Sequence, residues 1–527
     1  MNDIATPAAM PQAQAGQLRL RDWLAFWAIN IGGFVALLDI QIVASSISEI
    51  RAGLSASVDE IQWVQTSYLI AEIIAIPLSG YLAPMLSTRV YYTIAAAGFT
   101  LASLACGFSW SLGVIVVFRA LQGFLGGGMI PALFAVMYRL FPSEKQRELP
   151  QLIAGLTTML APAIGPTFGG WITDTLSWRW LFLINFVPGI ACALIVWFTL
   201  DVDRPQPRMR QHLSLWSVAL LALFLGSTQY TLDEGPRHDW FDDDSVAVTA
   251  VLAMLAGGLF FRRMLRAEMP LVDLRVFRNR NFAVTSAVSA LLGVSIFTLN
   301  YLTPLFLAQV AGYDAQQIGT VMVVAGITMI VVAPAVIRVA NLLDPRLVIS
   351  IGLVLVSIGS WTNAGLTADW GYAQFLLPQA LRGAGLIFVF VPMTNLALGT
   401  LRPQELNNAS ALYAVTRNLG GAIGLALVTT FINQRSWSHW QMLTERLRWS
   451  QPLVRESLGT MSGALHAQLG AASDAGAVGW LAQQVSRQVA SMTYGDLYLL
   501  LTWSPLLSIL LVPLIRRPRG SVGGMGH

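Results

Sequence analysis

Five charged side chains stand inside long apolar runs of this sequence: Asp39, Glu72, Arg119, Arg382 and Arg417. A charge surrounded by hydrocarbon is costly unless it is paired, hydrated or neutralised, so each is expected to face other protein rather than lipid. Two kinds of chemistry suit acids and arginines placed this way. One is a static ion pair that holds helices together, which Asp39 and Arg119 could form. The other is reversible protonation. Withdrawing a carboxyl from water disfavours its charged form, and a guanidinium nearby favours it. A carboxyl whose surroundings alternate can therefore load and release a proton. For Glu72 the static alternative is a carboxyl hydrogen-bonded to a neighbouring Tyr or Ser. Arg417 lies about one turn inside its run, within snorkelling reach of the inner surface, and reads as structural, whereas Arg382 lies deeper and fits either role. No enzyme chemistry stands out. The five histidines fit no zinc-hydrolase spacing, and there is no nucleophile elbow. The run Gly-Phe-Leu-Gly-Gly-Gly at 123–128 has no preceding strand and no Gly-Lys-Ser/Thr, so it reads as close helix packing rather than a phosphate loop.

The elements that position these groups follow from composition. Apolar residues make up 55% of the 527 and charged residues 11%, against about 25% charged in an ordinary soluble domain. A disordered chain, a solenoid and a soluble multidomain enzyme are excluded, which leaves a polytopic membrane protein. Apolar runs of spanning length fall at 23–45, 61–82, 90–108, 112–137, 150–172, 180–200, 213–231, 245–261, 283–308, 316–337, 347–367, 372–398, 410–432 and 496–515. They do not alternate as barrel strands would, so about fourteen helices are expected. From about 1.5 Å per residue, Asp39 and Arg119 lie roughly 7–10 Å below the outer surface and Glu72 about 15 Å down.

Charge sets the expected orientation. With the N-terminus inside, the short outer loops hold only Arg51, Arg179 and Arg237, while Arg204, Arg208, Arg210, Arg262, Arg263, Arg266, Arg275, Arg278, Arg280, Arg516, Arg517, Arg519 and others fall inside. The positive-inside rule then puts both termini in the cytoplasm. The formal charge of +4 gives no reason to expect a nucleic-acid partner. Residues 1–18 carry no apolar stretch, so no cleaved signal is expected, and the run from Trp23 stays as an anchor. Cys106 and Cys192 sit in apolar runs and read as buried small residues, with no metal site.

Two further segments invite a mechanical reading. The fifth run carries Pro162, Gly165, Pro166, Gly169 and Gly170. Proline removes a helical hydrogen bond and glycine admits a close neighbour, which suits a hinge or seal between two states; the alternative is a passive kink. The outer segment 433–494 repeats Leu481, Val485 and Val489 at four-residue spacing, with Leu443, Leu447 and Trp449 upstream. It reads as a short helical excursion that either caps the last two spans or docks a partner.

Leu38-Asp39-Ile40-Gln41-Ile42-Val43, Arg119-Ala120-Leu121-Gln122-Gly123, Gly165-Pro166-Thr167-Phe168-Gly169-Gly170, the stretch Trp178 to Asn185 and the stretch Arg417 to Gly424 follow in order along most of the chain. Together they resemble the fourteen-span drug:proton antiporter branch (EmrB/QacA type) of the major facilitator superfamily. The resemblance implies an all-α polytopic membrane protein with the major facilitator fold, two six-helix bundles plus two extra central spans. It divides the chain into a cytoplasmic tail 1–22, a first bundle 23–200, a linker 201–281 with the extra spans 213–231 and 245–261, a second bundle 282–515 containing the outer segment 433–494, and a cytoplasmic tail 516–527. The bundles would rock about a midplane site. The activity implied is export of hydrophobic or amphipathic compounds across the bacterial inner membrane, driven by a proton gradient and without a cofactor; export of one native metabolite or siderophore fits the same fold. A periplasmic adaptor and an outer-membrane channel are implied partners, as in tripartite pumps. Asp39, Glu72 and Arg119 are the expected proton-coupling residues, with Gln122, Asn300, Gln379 and Arg382 as candidate substrate-cavity residues. The family's gating loop between spans two and three usually reads Gly-x-Leu-Ala-Asp-Arg-x-Gly-Arg. Here Gly80 is followed by Tyr-Leu-Ala-Pro-Met-Leu-Ser-Thr-Arg89. The acid, the first basic residue and the second glycine are missing, which leaves Arg89 as the expected contact to the other half. Leu343-Asp344-Pro345-Arg346 is the candidate echo of that loop in the second half.

Overall fold

A backbone that crosses hydrocarbon must satisfy its own hydrogen bonds, so long apolar runs become helices. The computed structural model describes residues 19–447 and 451–516; the expectations for residues 1–18, Trp449, Arg517 and Arg519 lie outside them. Among the described residues, thirteen helices are long and apolar enough to cross a membrane, and a bent pair within 145–175 makes a fourteenth. The first half holds span 1 (Leu20–Ser45), span 2 (Trp63–Leu86), span 3 (Thr88–Gly107), span 4 (Leu112–Gly126 continued by Met129–Leu140), span 5 (Glu144–Thr175) and span 6 (Trp180–Leu183 continued by Phe186–Thr199). Span 7 (Leu215–Glu234) and span 8 (Asp244–Arg266) follow. The second half holds span 9 (Arg280–Gln309), span 10 (Ala315–Leu342), span 11 (Pro345–Asn363), span 12 (Tyr372–Leu398), span 13 (Leu406–Arg446) and span 14 (Ser473–Leu511).

Both described ends lie on one face, here the terminal face. Arg21 Nε donates to the Thr199 carbonyl at 2.7 Å, and Arg280 Nε donates to the Leu514 carbonyl at 2.7 Å. The halves meet on this side. The Tyr138 hydroxyl donates to the Thr394 carbonyl, Gln151 Nε2 to the Val391 carbonyl, and Phe134 packs 6.0 Å from Phe390. Span 7 lies against span 2, where Ile70 and Ile74 touch Gly226, and at the opposite face Thr66 bonds Asp233 and Trp240 Nε1 bonds Thr430. Span 8 packs on span 7 through Phe224 and Phe260, and turns Val248, Met254, Leu255 and Leu265 outward. The extra pair is thus central in sequence and peripheral in space, beside the seam of spans 2 and 13.

The last two spans run past the apolar runs that mark them. Span 13 has 41 residues, about 60 Å of helix against roughly 30 Å of hydrocarbon. Span 14 likewise begins at Ser473 rather than near residue 496. The helix Pro452–Leu469 packs on the start of span 14 and on Leu447, just past span 13, through Val454, Leu458, Ala477 and Leu481. The segment expected to be one short excursion is therefore mostly the continuation of two spans.

Candidate functional site

Asp39 on span 1 and Arg119 on span 4 are both fully buried and form an ion pair, Nη1 to Oδ2 at 2.5 Å. The pair is enclosed by neutral partners. Gln122, one turn along span 4, accepts from Arg119 Nη1 at 2.8 Å and donates to Asp39 Oδ1 at 3.0 Å. Asn185 of span 6 donates to the same Oδ1 at 2.7 Å and to the Ser103 hydroxyl of span 3 at 3.0 Å. Arg119 Nε donates to the Val64 carbonyl of span 2, and its guanidinium lies 4.1 Å over the Tyr68 ring. A buried ion pair survives desolvation only when its remaining valences are met. Both carboxylate oxygens are met here, Arg119 Nη2 is left buried without a hydrogen-bond partner among the described residues, and five of the first six spans are tied to one point. Gln122, expected at a substrate cavity, is 0% exposed and belongs to this network.

The glycines explain how span 4 comes so close. A Cβ at Gly123 would overlap the Tyr68 carbonyl, and one at Gly127 would meet the Glu72 backbone. Span 4 is interrupted between Gly126 and Met129, so the run at 123–128 seats it on span 2 beside both residues.

Glu72 is placed differently. It lies one turn beyond Tyr68 and is 6% exposed, yet among the described residues its carboxyl makes no hydrogen bond and no ion pair. Arg119, from its own half, lies over the Tyr68 ring one turn back, and Arg417 lies on span 13, which packs against span 2. Arg417 does not snorkel, which corrects the expectation for it. Span 13 starts at Leu406, which puts Arg417 about 16 Å along the helix. There it is 8% exposed, 6.0 Å from the Phe390 ring. Spans 2 and 13 meet just below, through Ile76, Ala411, Ala414 and Val415.

Span 5 bends by 48° between Pro162 and Ile164. Beyond the bend, a Cβ at Gly165 would overlap the Gln41 side chain, and one at Gly169 would meet Ser45 and the Ile42 backbone of span 1. Gly170 is buried, and its carbonyl accepts from Thr173. On the other flank, Thr167 fills the space above Gly319 and Leu160 that above Gly326, both on span 10. Span 5 is clamped between the helix that carries Asp39 and the second half.

At the terminal face, Gly80 packs against the Asn407 and Asn408 backbone of span 13, where a Cβ would stand 3.0 Å from Asn408 Cα. Arg89 turns back over Trp197 of span 6, 5.5 Å from the ring centroid, and so stays in its own half. The missing loop acid has a substitute that sequence reading passed over. Asp203, in the linker after span 6, accepts from the Thr88 backbone N–H at 2.8 Å and caps span 3. It also pairs with Arg139 of span 4 at 2.5 Å, and Arg139 Nη2 reaches the Pro403 carbonyl of the second half at 3.5 Å. In the second half Asp344 caps span 11 from its own loop, accepting from Arg346 N. The signal for Asp203 was a lone Asp-Val-Asp in a basic linker, which capping and latching roles do not distinguish without the fold.

In the second half, Arg382 Nη2 donates to Asn300 Oδ1 at 3.0 Å and Gln379 Nε2 to Met322 Sδ at 3.5 Å. Asn300 and Arg382 line a narrow cavity with Ser295, Gly326 and Met329; Gln379 is buried beside span 10 and is not part of that lining. Tyr68 and Asn185, which sequence reading did not single out as site residues, carry much of the first network.

The model of the Major Facilitator Superfamily matches residues 29–425. The chain is similar to the colistin resistance protein EmrB of Acinetobacter baumannii, 40% identical over 90% of this chain and 92% of the relative. It is also similar to the multidrug export protein EmrB of Escherichia coli K12, 30% identical over 95% and 96%. In fold it is similar to the crystal structure of the human organic anion transporter MFSD10 (TM-score 0.55, 14% identity, 92% of this chain and 99% of that one). The chain therefore belongs to the Major Facilitator Superfamily, in its EmrB-type branch.

Proposed function

We propose that this protein is a proton-coupled efflux antiporter that exports hydrophobic or amphipathic compounds by alternating access. The observation that carries the reading is Glu72: a buried carboxyl that makes no hydrogen bond and no ion pair among the described residues, one turn from the Tyr68 ring that Arg119 covers, on the helix that packs against span 13 of the other half. A carboxyl so placed is neutral when the cations are far and ionised when they are near. Rocking of the halves about spans 2 and 13 changes the distance from Glu72 to Arg417, and with it the proton affinity. Asp39 and Arg119 hold span 1, span 2 and span 4 in register and set the positive charge that Glu72 feels. The relatives named for multidrug export and colistin resistance support a cargo of toxic compounds.

In this reading the membrane is the bacterial inner membrane and the terminal face is cytoplasmic, an orientation that the arginine distribution supports. The bundles 23–200 and 282–515 are the moving bodies, and the linker 201–281 tethers them. Gly80, Asp203 and Arg139 close the cytoplasmic side, while span 5, with Pro162, Gly165, Pro166, Gly169 and Gly170, is the hinge between them. The two long outer helices and Pro452–Leu469 offer a surface to a periplasmic adaptor. The test is efflux from everted vesicles, with and without an imposed proton gradient, across a panel of hydrophobic cations, zwitterions and weak acids. Export of at least one class is expected to collapse when the gradient is dissipated. Export of every transported compound at the same rate without a gradient overturns the reading.

A further inference from the structure

Spans 2 and 13 face each other across the two halves, and their contact changes along its length. At the terminal face they touch backbone to backbone, with Gly80 on Asn408. Midway they pack through Ile76, Ala411 and Val415. At their far ends, among the described residues, no hydrogen bond joins them directly, and the tip of the hairpin between spans 7 and 8 joins them instead. On the span 2 side, Asp233 accepts from the Thr66 hydroxyl and Arg237 Nη2 donates to Gln62 Oε1 at 3.1 Å. On the span 13 side, the Pro236 carbonyl accepts from Asn433 Nδ2 at 3.2 Å and Trp240 Nε1 donates to Thr430 Oγ1 at 2.9 Å. The adjacent residues Pro236 and Arg237 thus hold opposite sides of the seam.

The tip is held in a definite shape. Glu234, 8% exposed at the end of span 7, pairs with Arg237 at 3.3 Å. The Trp240 indole covers Gly235, where a Cβ would stand 2.8 Å from the ring. Asp239 and Trp240 both adopt left-handed backbone, with φ of 50° and 62°. A bulky residue stays in that region only where its surroundings over-determine it. Here Gly235 under the ring and Thr430 beyond it do so, and the contact with span 13 therefore holds a strained turn in place.

The two legs of the hairpin are anchored separately. Before span 7, the Tyr81 hydroxyl donates to the Met209 carbonyl at 2.6 Å and the Gln206 N–H to the Pro84 carbonyl at 3.1 Å, which ties that linker to the first half. After span 8, Asn408 and the Asp273 backbone exchange hydrogen bonds of 2.8 and 3.0 Å, which ties that linker to the second half. A hairpin with one foot in each half and a tip bonded to both feels any rocking between them.

We propose that residues 235–243 form a strut that holds the far ends of spans 2 and 13 apart while the terminal face is closed, with the seat of Trp240 on Thr430 as its release point. This rests on the exporter reading and names the element that sets which face is open. Leaving the seat relaxes the turn and lets the far ends close as the terminal face parts.

The test is the distance between spin labels at residues 58 and 437, measured by electron resonance on the full-length protein in lipid nanodiscs, with no gradient and no cargo. Val58 precedes span 2 and Trp437 lies on the far part of span 13, and both are exposed, whereas Cys106 and Cys192 are buried and escape labelling. Thr430→Val keeps the side-chain shape and deletes one neutral hydrogen bond. It should raise the ratio of short to long distances about fivefold over wild type. Trp240→Ala should raise it further; if that variant does not fold, Thr430→Val decides alone. An unchanged distribution in Thr430→Val makes the tip a passive loop, and a longer distance in either variant makes it a clasp; each overturns the strut. Gradient-driven efflux is read separately in vesicles. Efflux by wild type that ignores the gradient, with the distances shifting as stated, counts against the antiporter reading alone. Gradient-dependent efflux with unmoved distances counts against the strut alone.

Discussion

Asp39 and Glu72 are both carboxyls buried in helices, yet one has every valence filled and the other has none. Asp39 accepts from Arg119, Gln122 and Asn185, so its removal strands a guanidinium that has no water to turn to. Asp39→Ala is expected to destabilise the fold by about 3–5 kcal/mol, read as a lower melting temperature in detergent. Asp39→Asn, which preserves shape, should cost less. Glu72→Gln loses no bonded partner, so the melting temperature should hold while gradient-driven export fails. The charged residues were legible in the sequence because lipid makes them conspicuous. Gln122 and Asn185 were not legible as parts of one network, since a neutral amide in a helix signals nothing until its neighbours are known. The depth of Arg417 was not legible because its helix starts at Leu406, earlier than the apolar run suggests.

Among the elements, span 5 and the terminal-face latch carry the mechanical predictions. Gly165 has the Gln41 side chain where its Cβ would be. Gly165→Ala combined with Pro166→Leu should leave insertion intact but loosen span 5 from span 1 and impair coupled export; normal export by this variant would reduce the bend to a passive kink. Asp203→Ala should release both the span 3 cap and Arg139. Cysteines placed at residues 138 and 395, where Tyr138 now meets Asn395, should then crosslink less readily, and unchanged crosslinking would deny Asp203 a latching role. Twelve of the spans were legible to within several residues from apolar runs alone. Spans 13 and 14 were not legible beyond the membrane, because a helix that continues into water gives up its apolar signal while keeping its hydrogen bonds.

Taken as a whole, the molecule pairs two halves that touch directly at the terminal face and, at the opposite face, are bridged by the hairpin of spans 7 and 8. The fold class was legible because motif order and apolar periodicity agree. The bridging position of residues 235–243 was not legible, since an acidic loop between two apolar runs does not show which spans its tip reaches. Deleting Pro452–Leu469 leaves both long helices whole, so insertion should survive. If that helix docks an adaptor, whole-cell resistance should fall while vesicle export persists, whereas equal loss in both would mark it as a structural cap. Coupling itself is tested most directly by proton release from detergent-purified protein on addition of a transported compound. Wild type should release protons on binding, and Glu72→Gln should bind the compound and release none. Undiminished release from a Glu72→Gln, Asp39→Asn double variant would contradict the assignment of coupling to this site.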